Sequence, residues 1–273
     1  MHFITGEPAL FFESGKTNKK TLVVTDLHIG IEYEFFKNGI KLPSQTEKML
    51  ERLEKLINET GAKKLIILGD IKHKVPGSSF QEEREIPYFL NRLKQLKQNR
   101  ESNQGIKIEI VPGNHHPGLE KYLPSGVTLH GNEGVLLDDV YFTHGHTWPN
   151  KNILKAKRIV SGHSHPQFEF RDKLGYRWVE PVWLRAETNK KMLREKYKKD
   201  LEHKQEIIIV PTFNSFSGGY PVNRNPFSKK GFIQKNKKDS QVGKSKEFLG
   251  PVAKMISGKK KLYLLDGTFL GEF

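Results

Sequence analysis

Gly162-His163-Ser164-His165-Pro166 closes a short apolar run, Ile159-Val160, that reads as the end of a β-strand. Two imidazoles flanking one residue, on a loop entered through a glycine, can reach two neighbouring points in space. That reach suits a pair of metal ions about 3.5–4 Å apart. In a chain with 11 histidines the pattern alone decides little. The upstream chain repeats the theme. Asp26-Leu27-His28 follows Thr21-Leu22-Val23-Val24, and Gly69-Asp70 follows Leu65-Ile66-Ile67-Leu68. Gly113-Asn114-His115 follows Ile108-Glu109-Ile110-Val111-Pro112, and His144-Gly145-His146 follows Val140-Tyr141-Phe142-Thr143. Five times a β-type run ends in Asp, Asn or His, usually beside glycine. In open α/β sheets function collects at the carboxyl ends of the strands.

This series resembles the calcineurin-like metallophosphoesterases. Their motifs D-x-H, G-D, G-N-H, H and G-H-x-H run in the same order, and every one stands here between residues 26 and 165. The resemblance implies an α/β fold, a four-layer αββα sandwich of two mixed β-sheets flanked by helices, with metals at the edge where strand ends converge. It implies two divalent ions, Mn first, with Fe, Zn or Ni as alternatives. By motif matching, Asp26, His28, Asp70 and His165 hold one ion; Asn114, His144 and His163, with Asp70 again, hold the other. Asp70 is the expected bridge, because it ends a central strand and Gly69 lets the backbone come close. Phosphate esters would then be hydrolysed by metal-bound hydroxide attacking phosphorus, with both ions holding phosphoryl oxygens. Taken singly, each of these residues also suits a turn or a hydrogen-bonded core position.

His115 matches the family's histidine that is not a ligand, expected to give a proton to the leaving alkoxide or to stabilise phosphoryl charge. Family members often carry an acid after it; here that position is His116. Orientation of His115 then falls to a backbone carbonyl or a distant acid. His146 is expected to support the ligands or touch substrate. The common G-D-x-x-D becomes Gly69-Asp70-Ile71-Lys72-His73, in which Lys72 and His73 reach substrate phosphate or point to water. With Pro211-Thr212-Phe213-Asn214 and Gly218-Gly219 downstream, this variant looks like the archaeal SbcD-related phosphoesterase branch.

Composition narrows the setting. The chain has 273 residues, 36% of them hydrophobic, enough for one substantial core. It has no cysteine, which removes disulfides and thiolate sites and leaves carboxylate, imidazole, amide and water as ligands. No apolar run approaches the roughly 18 residues of a membrane span. Residues 1–7 lack a basic stretch followed by an apolar one, so a cytoplasmic protein is expected. Net charge is +15, and residues 220–273 hold 12 Lys/Arg against 4 Asp/Glu. About half of the basic excess therefore sits in the last fifth of the chain. Such an excess favours a polyanion such as DNA or RNA, and equally fits a lysine-rich thermophile surface.

Along the chain, residues 2–13 suggest an opening hairpin and residues 15–20 a polar turn. Residues 44–60 predict a helix, with Ser44 and Glu47 as capping box and Gly61 as stop. Residues 82–98 predict another, capped by Ser79 and Glu82, with Pro87 breaking it or delaying its start to near Ile86. Residues 127–130, 135–138 and 140–143 suggest antiparallel strands of a second sheet, continued near 157–161, 167–170 and 176–184. Residues 188–206 read as a charged surface helix or insertion. The Asp266-Gly267 pair predicts a closing hairpin. This gives a metallophosphoesterase core over 1–219 and a basic segment over 220–273 that packs back on it.

Three functions fit. The first is a phosphodiesterase acting on nucleic acid, with Phe213, Phe216, Tyr220, Arg224 and Phe227 as base-stacking or packing residues. The second is a small-molecule phosphatase or cyclic-nucleotide phosphodiesterase. The third is a non-catalytic scaffold, which the filled ligand positions disfavour. Oligomeric state is open.

Overall fold

The computed structural model describes residues 1–14, 19–96, 105–224 and 250–273. Residues 15–18 of the expected turn at 15–20, the end of the second predicted helix at 97–98, Phe227 and most of the lysine-rich stretch lie outside the described residues.

Strands β1 (His2–Phe3), β2 (Ala9–Glu13) and β3 (Lys20–Thr25) open the chain as an antiparallel meander. Short helix α1 (Glu32–Lys37) and helix α2 (Thr46–Thr60) lead to β4 (Lys64–Gly69). Helix α3 (Phe80–Gln95) leads to β5 (Lys107–Pro112), and β6 (Thr128–Leu129) follows. These strands form one sheet in the order β1-β2-β3-β4-β5-β6, parallel from β3 onward. The second sheet holds β7 (Val135–Leu137), β8 (Val140–Thr143), β9 (Arg158–Ser161), β10 (Pro166–Arg171) and β11 (Arg177–Thr188). After helix α4 (Lys190–Tyr197) come β12 (Glu206–Ile209) and β13 (Tyr220–Pro221). Helix α5 (Gly250–Lys254) precedes β14 (Ile256–Leu264) and β15 (Phe269–Glu272), a hairpin that pairs with β11.

Alternating burial explains the layers. On a strand, successive side chains face opposite sides. Leu22 and Val24, Leu65 and Ile67, and Ile108 and Ile110 pack against Leu50, Leu53, Phe89 and Leu93 of α2 and α3. Their neighbours Val23, Ile66, Leu68 and Val111 face Val140, Phe142, Val160, Trp183 and Ile208 of the other sheet. The far side of that sheet, with Tyr141, Ile159, Leu184 and Ile207, is covered by Leu193 and Tyr197 of α4 and Val252 of α5. Three apolar layers thus hold four layers of structure. Strands buried on both faces read as unbroken apolar runs, which is how they stand in the sequence.

Three expectations need correction. Helix α2 begins at Thr46, and Ser44 does not cap it in a box with Glu47. Ser44 Oγ accepts from the Thr46 amide at 3.2 Å, Glu32 accepts from the Gln45 amide at 2.7 Å, and Glu85 holds the hydroxyls of Ser44 and Thr46 at 2.8 and 2.7 Å. Pro87 sits inside α3 without ending it. An interior proline costs about 3 kcal/mol. The formed Ser79–Glu82 capping box and the burial of Ile86, Phe89, Leu90 and Leu93 outweigh that cost. Residues 128–129 join the first sheet beside β5, not the second, because Thr128 and Leu129 pair in parallel with Glu109 and Ile110.

Glu109 is a buried charge at the end of the sandwich where β5 begins. Its carboxylate accepts from Lys64 Nζ at 3.0 Å, Lys107 Nζ at 2.8 Å and His130 Nε2 at 3.0 Å. Burial pushes its pKa up, but these three donors outweigh burial and hold it well below the ordinary 4.5. A depressed carboxylate stabilises the fold fully above its unfolded pKa and loses that contribution as pH falls through the folded one. Glu109→Gln is expected to lower unfolding free energy by about 1–3 kcal/mol at pH 7, read from the urea midpoint. The gap between variant and parent should narrow progressively as pH falls from about 4.5 toward the much lower folded pKa; a gap that stays constant across that range would show that charge is not its source.

Candidate metal centre

The motif residues converge at the carboxyl ends of β3, β4, β5, β8 and β9. The ladder between β3 and β4 continues into the loops. The amides of Asp26, His28 and Ile29 donate to the carbonyls of Leu68, Asp70 and Ile71 at 3.1, 2.8 and 2.7 Å. This locks the D-x-H loop to the G-D loop. Four of the motif side chains sit on left-handed backbone: Asp26 (φ 53°), His28 (41°), His163 (66°) and His165 (38°). Residues other than glycine rarely adopt this region, and such strain persists only where surroundings enforce it. Asn214 is part of the enforcement. It is fully buried, and its amide donates to the Leu27 carbonyl at 2.8 Å, while Thr212 Oγ1 donates to the Asp26 carbonyl at 2.9 Å.

Asp26 is the hub. Its carboxylate is 0% exposed and accepts from the amides of Asp70 (3.2 Å) and His163 (2.9 Å). Nε2 of His144 lies 2.9 Å from one oxygen and Nε2 of His165 lies 3.3 Å from the other. Burial pushes Asp26 up, yet the charges and hydrogen bonds of His144 and His165 hold it well below the carboxylate range. Asp70 is nearly as buried, and there burial wins, with the Asp26 charge adding to it, so its pKa is raised. Burial pulls His144 and His165 down, but the carboxylates outweigh it and raise both. Burial lowers His28 well below its ordinary value, His163 to about 4 and His146 to about 3, aided by neighbouring imidazoles.

Hydrogen bonds on the far nitrogens aim these rings. His165 Nδ1 donates to the Gly218 carbonyl at 2.9 Å. His144 Nδ1 lies 2.9 Å from Nδ1 of His146, which is neutral and accepts. Both arrangements leave Nε2 directed at the carboxylates, the usual second-layer support of a metal-binding histidine. Three groupings bring ligand atoms within 4.8 Å of one another: Asp26-His28-His165, Asp26-Asp70-His144 and His28-His73-His115. The backbone comes close because two positions lack a side chain. A Cβ on Gly69 (φ 97°) would lie 2.2 Å from His144 Cδ2 and 2.5 Å from Asp26 Oδ1; one on Gly113 would lie 2.0 Å from Asp70 Oδ1.

Residues 19–239 match the family described as calcineurin-like phosphoesterases. The chain belongs to that family. This calcineurin-like phosphoesterase is therefore a hydrolase acting on phosphate esters, and metal-dependent as its family is. Among solved structures it is similar to the nuclease MPE of Pseudomonas putida, at 19% identity over 92% of this chain and 87% of that one, with a TM-score of 0.49. It is also similar to YfcE, a phosphoesterase from E. coli, at 15% identity over 93% and 97%, with a TM-score of 0.39. No curated protein sequence matches the chain significantly.

Of the residues singled out in this phosphoesterase, Asp26, His28, Asp70, His144, His163 and His165 come together. The His163 ring lies 4.8 Å from that of His144. Asn114 is exposed on the turn after β5, next to the Gly113 that abuts Asp70. His73 joins the cluster, its Nδ1 3.3 Å from that of His28. Lys72 does not fit a substrate role: it is buried, and its ammonium donates to the carbonyls of Lys74 and Gly77, stitching its own loop. His116 Nδ1 donates to the Gly113 carbonyl at 2.6 Å and leaves its other nitrogen on the half-buried rim.

The acid missing after His115 is replaced at a distance. His115 Nδ1 donates to the His73 carbonyl, and its amide donates to Asp70 Oδ1 at 2.8 Å. The His73 loop is in turn pinned by fully buried Glu82, which accepts from the amides of His73 (2.8 Å), Lys74 (2.6 Å) and Ser79 (2.5 Å). In the sequence Glu82 stands only as a helix cap and Asn214 only as part of the family likeness. Neither has a local signal for its reach into the site.

Two outcomes are expected. His144 and His165 stand above their ordinary pKa, each with a proton on Nε2 toward Asp26, so a divalent cation taken up there displaces protons. Calorimetric Mn titrations at pH 6.5, in two buffers of different ionisation enthalpy, should show release of about one to two protons, and affinity should rise with pH. Heats independent of buffer would mean that these imidazoles do not coordinate. Glu82→Gln should lower kcat about 10- to 100-fold with metal content retained; full turnover would remove Glu82 from the orientation of His115.

Proposed function

We propose that this chain is a dinuclear phosphodiesterase that cleaves nucleic acid, of the SbcD-related kind, working with Mn in the cytoplasm. The observation that carries the metal reading is the buried Asp26–Asp70 pair faced by the Nε2 atoms of His144 and His165. Two adjacent buried carboxylates repel, and an oxygen–nitrogen donor set with no thiolate suits Mn, Fe or Zn. The residues present therefore fit the family's metals. Asp26, His28, Asp70 and His165 would hold one ion, and Asp70, Asn114, His144 and His163 the other. When bound, such ions supply Lewis acidity toward phosphoryl oxygens and a water of lowered pKa.

The chain's own groups supply the rest. His115 Nε2 lies 3.8 Å from Asp70 Oδ2, at the edge of the cluster. With Nδ1 committed to the His73 carbonyl, the proton His115 can pass to a leaving alkoxide sits on Nε2. His116, half-buried beside it, would meet a phosphate oxygen with its other nitrogen. The nucleic-acid reading rests on the net charge of +15.

His115→Ala should cut kcat by about 10²–10⁴-fold with bound metal unchanged. Asp70→Asn should lose both metal and activity. Both are checked with Mn on a chromogenic bis-ester, single-stranded DNA, duplex DNA and RNA. Cleavage of the bis-ester alone would shift the reading to a small-molecule phosphodiesterase. Unchanged turnover in His115→Ala would remove that residue from the chemistry.

A further inference from the structure

The hairpin of β10 and β11 overhangs the site. Ile209 of β12 pairs with Ser161 on one side and Leu184 on the other. Leu184 is thus level with the strand end that leads to His163 and His165. β11 runs antiparallel to β12, so its residues 177–183 lie beyond that level, and 177–181 pair only with β10. At roughly 3.3 Å per residue, Trp178 stands about 20 Å above Leu184. β10 itself starts one residue after His165. The arm therefore rises from the metal centre.

Its surface is unlike the rest of the fold. Residues 171–180 are exposed without a break, including Leu174 at 96%, Tyr176 at 67% and Trp178 at 40%. Rings stack along one side. Phe170 and Trp178 are 5.0 Å apart and 11° from parallel; Trp178 and Tyr176 are 6.1 Å apart at 27°. The stack ends on the exposed Tyr176 ring, where another flat ring can continue it. Arg171 and Arg177 pair directly opposite each other and so project from the other face of the hairpin, with Lys173 in the turn between the strands; none of the three forms an ion pair among the described residues. Two nearby acids are engaged: Asp172 accepts from the amides of Leu174 and Tyr176, and Glu169 pairs with Arg224; Glu180 is exposed beside Trp178. Phe170, Trp178 and Glu180 also wall a groove of about 380 Å³ against residues 264–266. A hairpin with an exposed ring stack on one face and unpaired cations on its other face and at its turn fits a ligand that joins planar rings to a chain of anions. A duplex hides its base faces, so the fit is to unpaired bases.

We infer that the β10–β11 arm is a stacking platform for an unpaired stretch of polynucleotide whose backbone reaches the metal centre. The inference rests on the nucleic-acid reading given above. It is tested with the Mn-loaded full chain and the Tyr176→Ala/Trp178→Ala double variant. Hydrolysis and anisotropy binding of a fluorescent thirty-residue oligothymidylate are measured beside hydrolysis of a chromogenic bis-ester. The double variant should raise Kd and KM for the oligonucleotide about tenfold or more, leave bis-ester turnover unchanged, and affect duplex binding less. Trp178→Phe should restore most of the affinity. Tight oligonucleotide binding with the same Kd in parent and double variant would overturn the platform and leave the nuclease reading standing. A parent that cleaves the bis-ester yet binds no polynucleotide would overturn both. A change in sedimentation of the double variant, with oligonucleotide affinity kept, would assign the face to a second copy and overturn the platform.

Discussion

A carboxylate with no access to water must find partners for its charge, and Asp26 finds four of them on three other loops. Two are backbone amides, from Asp70 and His163, and two are ring nitrogens, from His144 and His165. No single loop could meet that demand. The ends of β3, β4, β8 and β9 are therefore obliged to converge. Moving any one of them by an ångström would leave a buried charge short of a donor, at a cost of several kcal/mol. The same geometry that satisfies Asp26 directs imidazole nitrogens toward it and Asp70. Stability and cation affinity are thus two readings of one arrangement.

The layers exist to hold those ends. Strands β3, β4 and β5 are buried on both faces, so they cannot tilt without opening one apolar layer or another. The second sheet is held in the same way by Trp183, Phe142 and Val160 inward and Tyr141, Leu184 and Ile207 outward. Phe3 of the first sheet's edge strand stacks on Trp183 of the second at 4.2 Å, which ties that edge to an interior strand of the other sheet. Rigid strands with short polar tips are a stable support for a site that tolerates little displacement.

Much of this was legible in the sequence, for a physical reason. Runs such as Leu65-Ile66-Ile67-Leu68 announce strands buried on both sides, and the ligand-type residue at each end lies within two or three positions of its run. Local pattern and function coincide there. Legibility failed where partners come from far along the chain. The start of α2 is fastened by Glu32 at the Gln45 amide and by Glu85 at the hydroxyls of Ser44 and Thr46, and no window around Ser44 contains either acid. Pro87 survives in α3 because of packing that its neighbours do not reveal. Thr128 and Leu129 changed sheets because a two-residue strand carries no alternation to read. Lys72 has the same composition whether it reaches a phosphate or turns to the carbonyls of its own loop. Glu82 holds His115 through one loop and two hydrogen-bond steps, a relation visible only in three dimensions.

The left-handed turns at Asp26, His28, His163 and His165 also bear on how this centre can change over generations. Aspartate, asparagine, histidine and glycine tolerate that backbone best, whereas valine, isoleucine and threonine resist it. The mutational alphabet at those four sites is therefore restricted by geometry before any demand of chemistry is applied. Lineages descending from such a chain would exchange donor types within that short vocabulary, and could retune their affinity for cations while the scaffold beneath stays as it is.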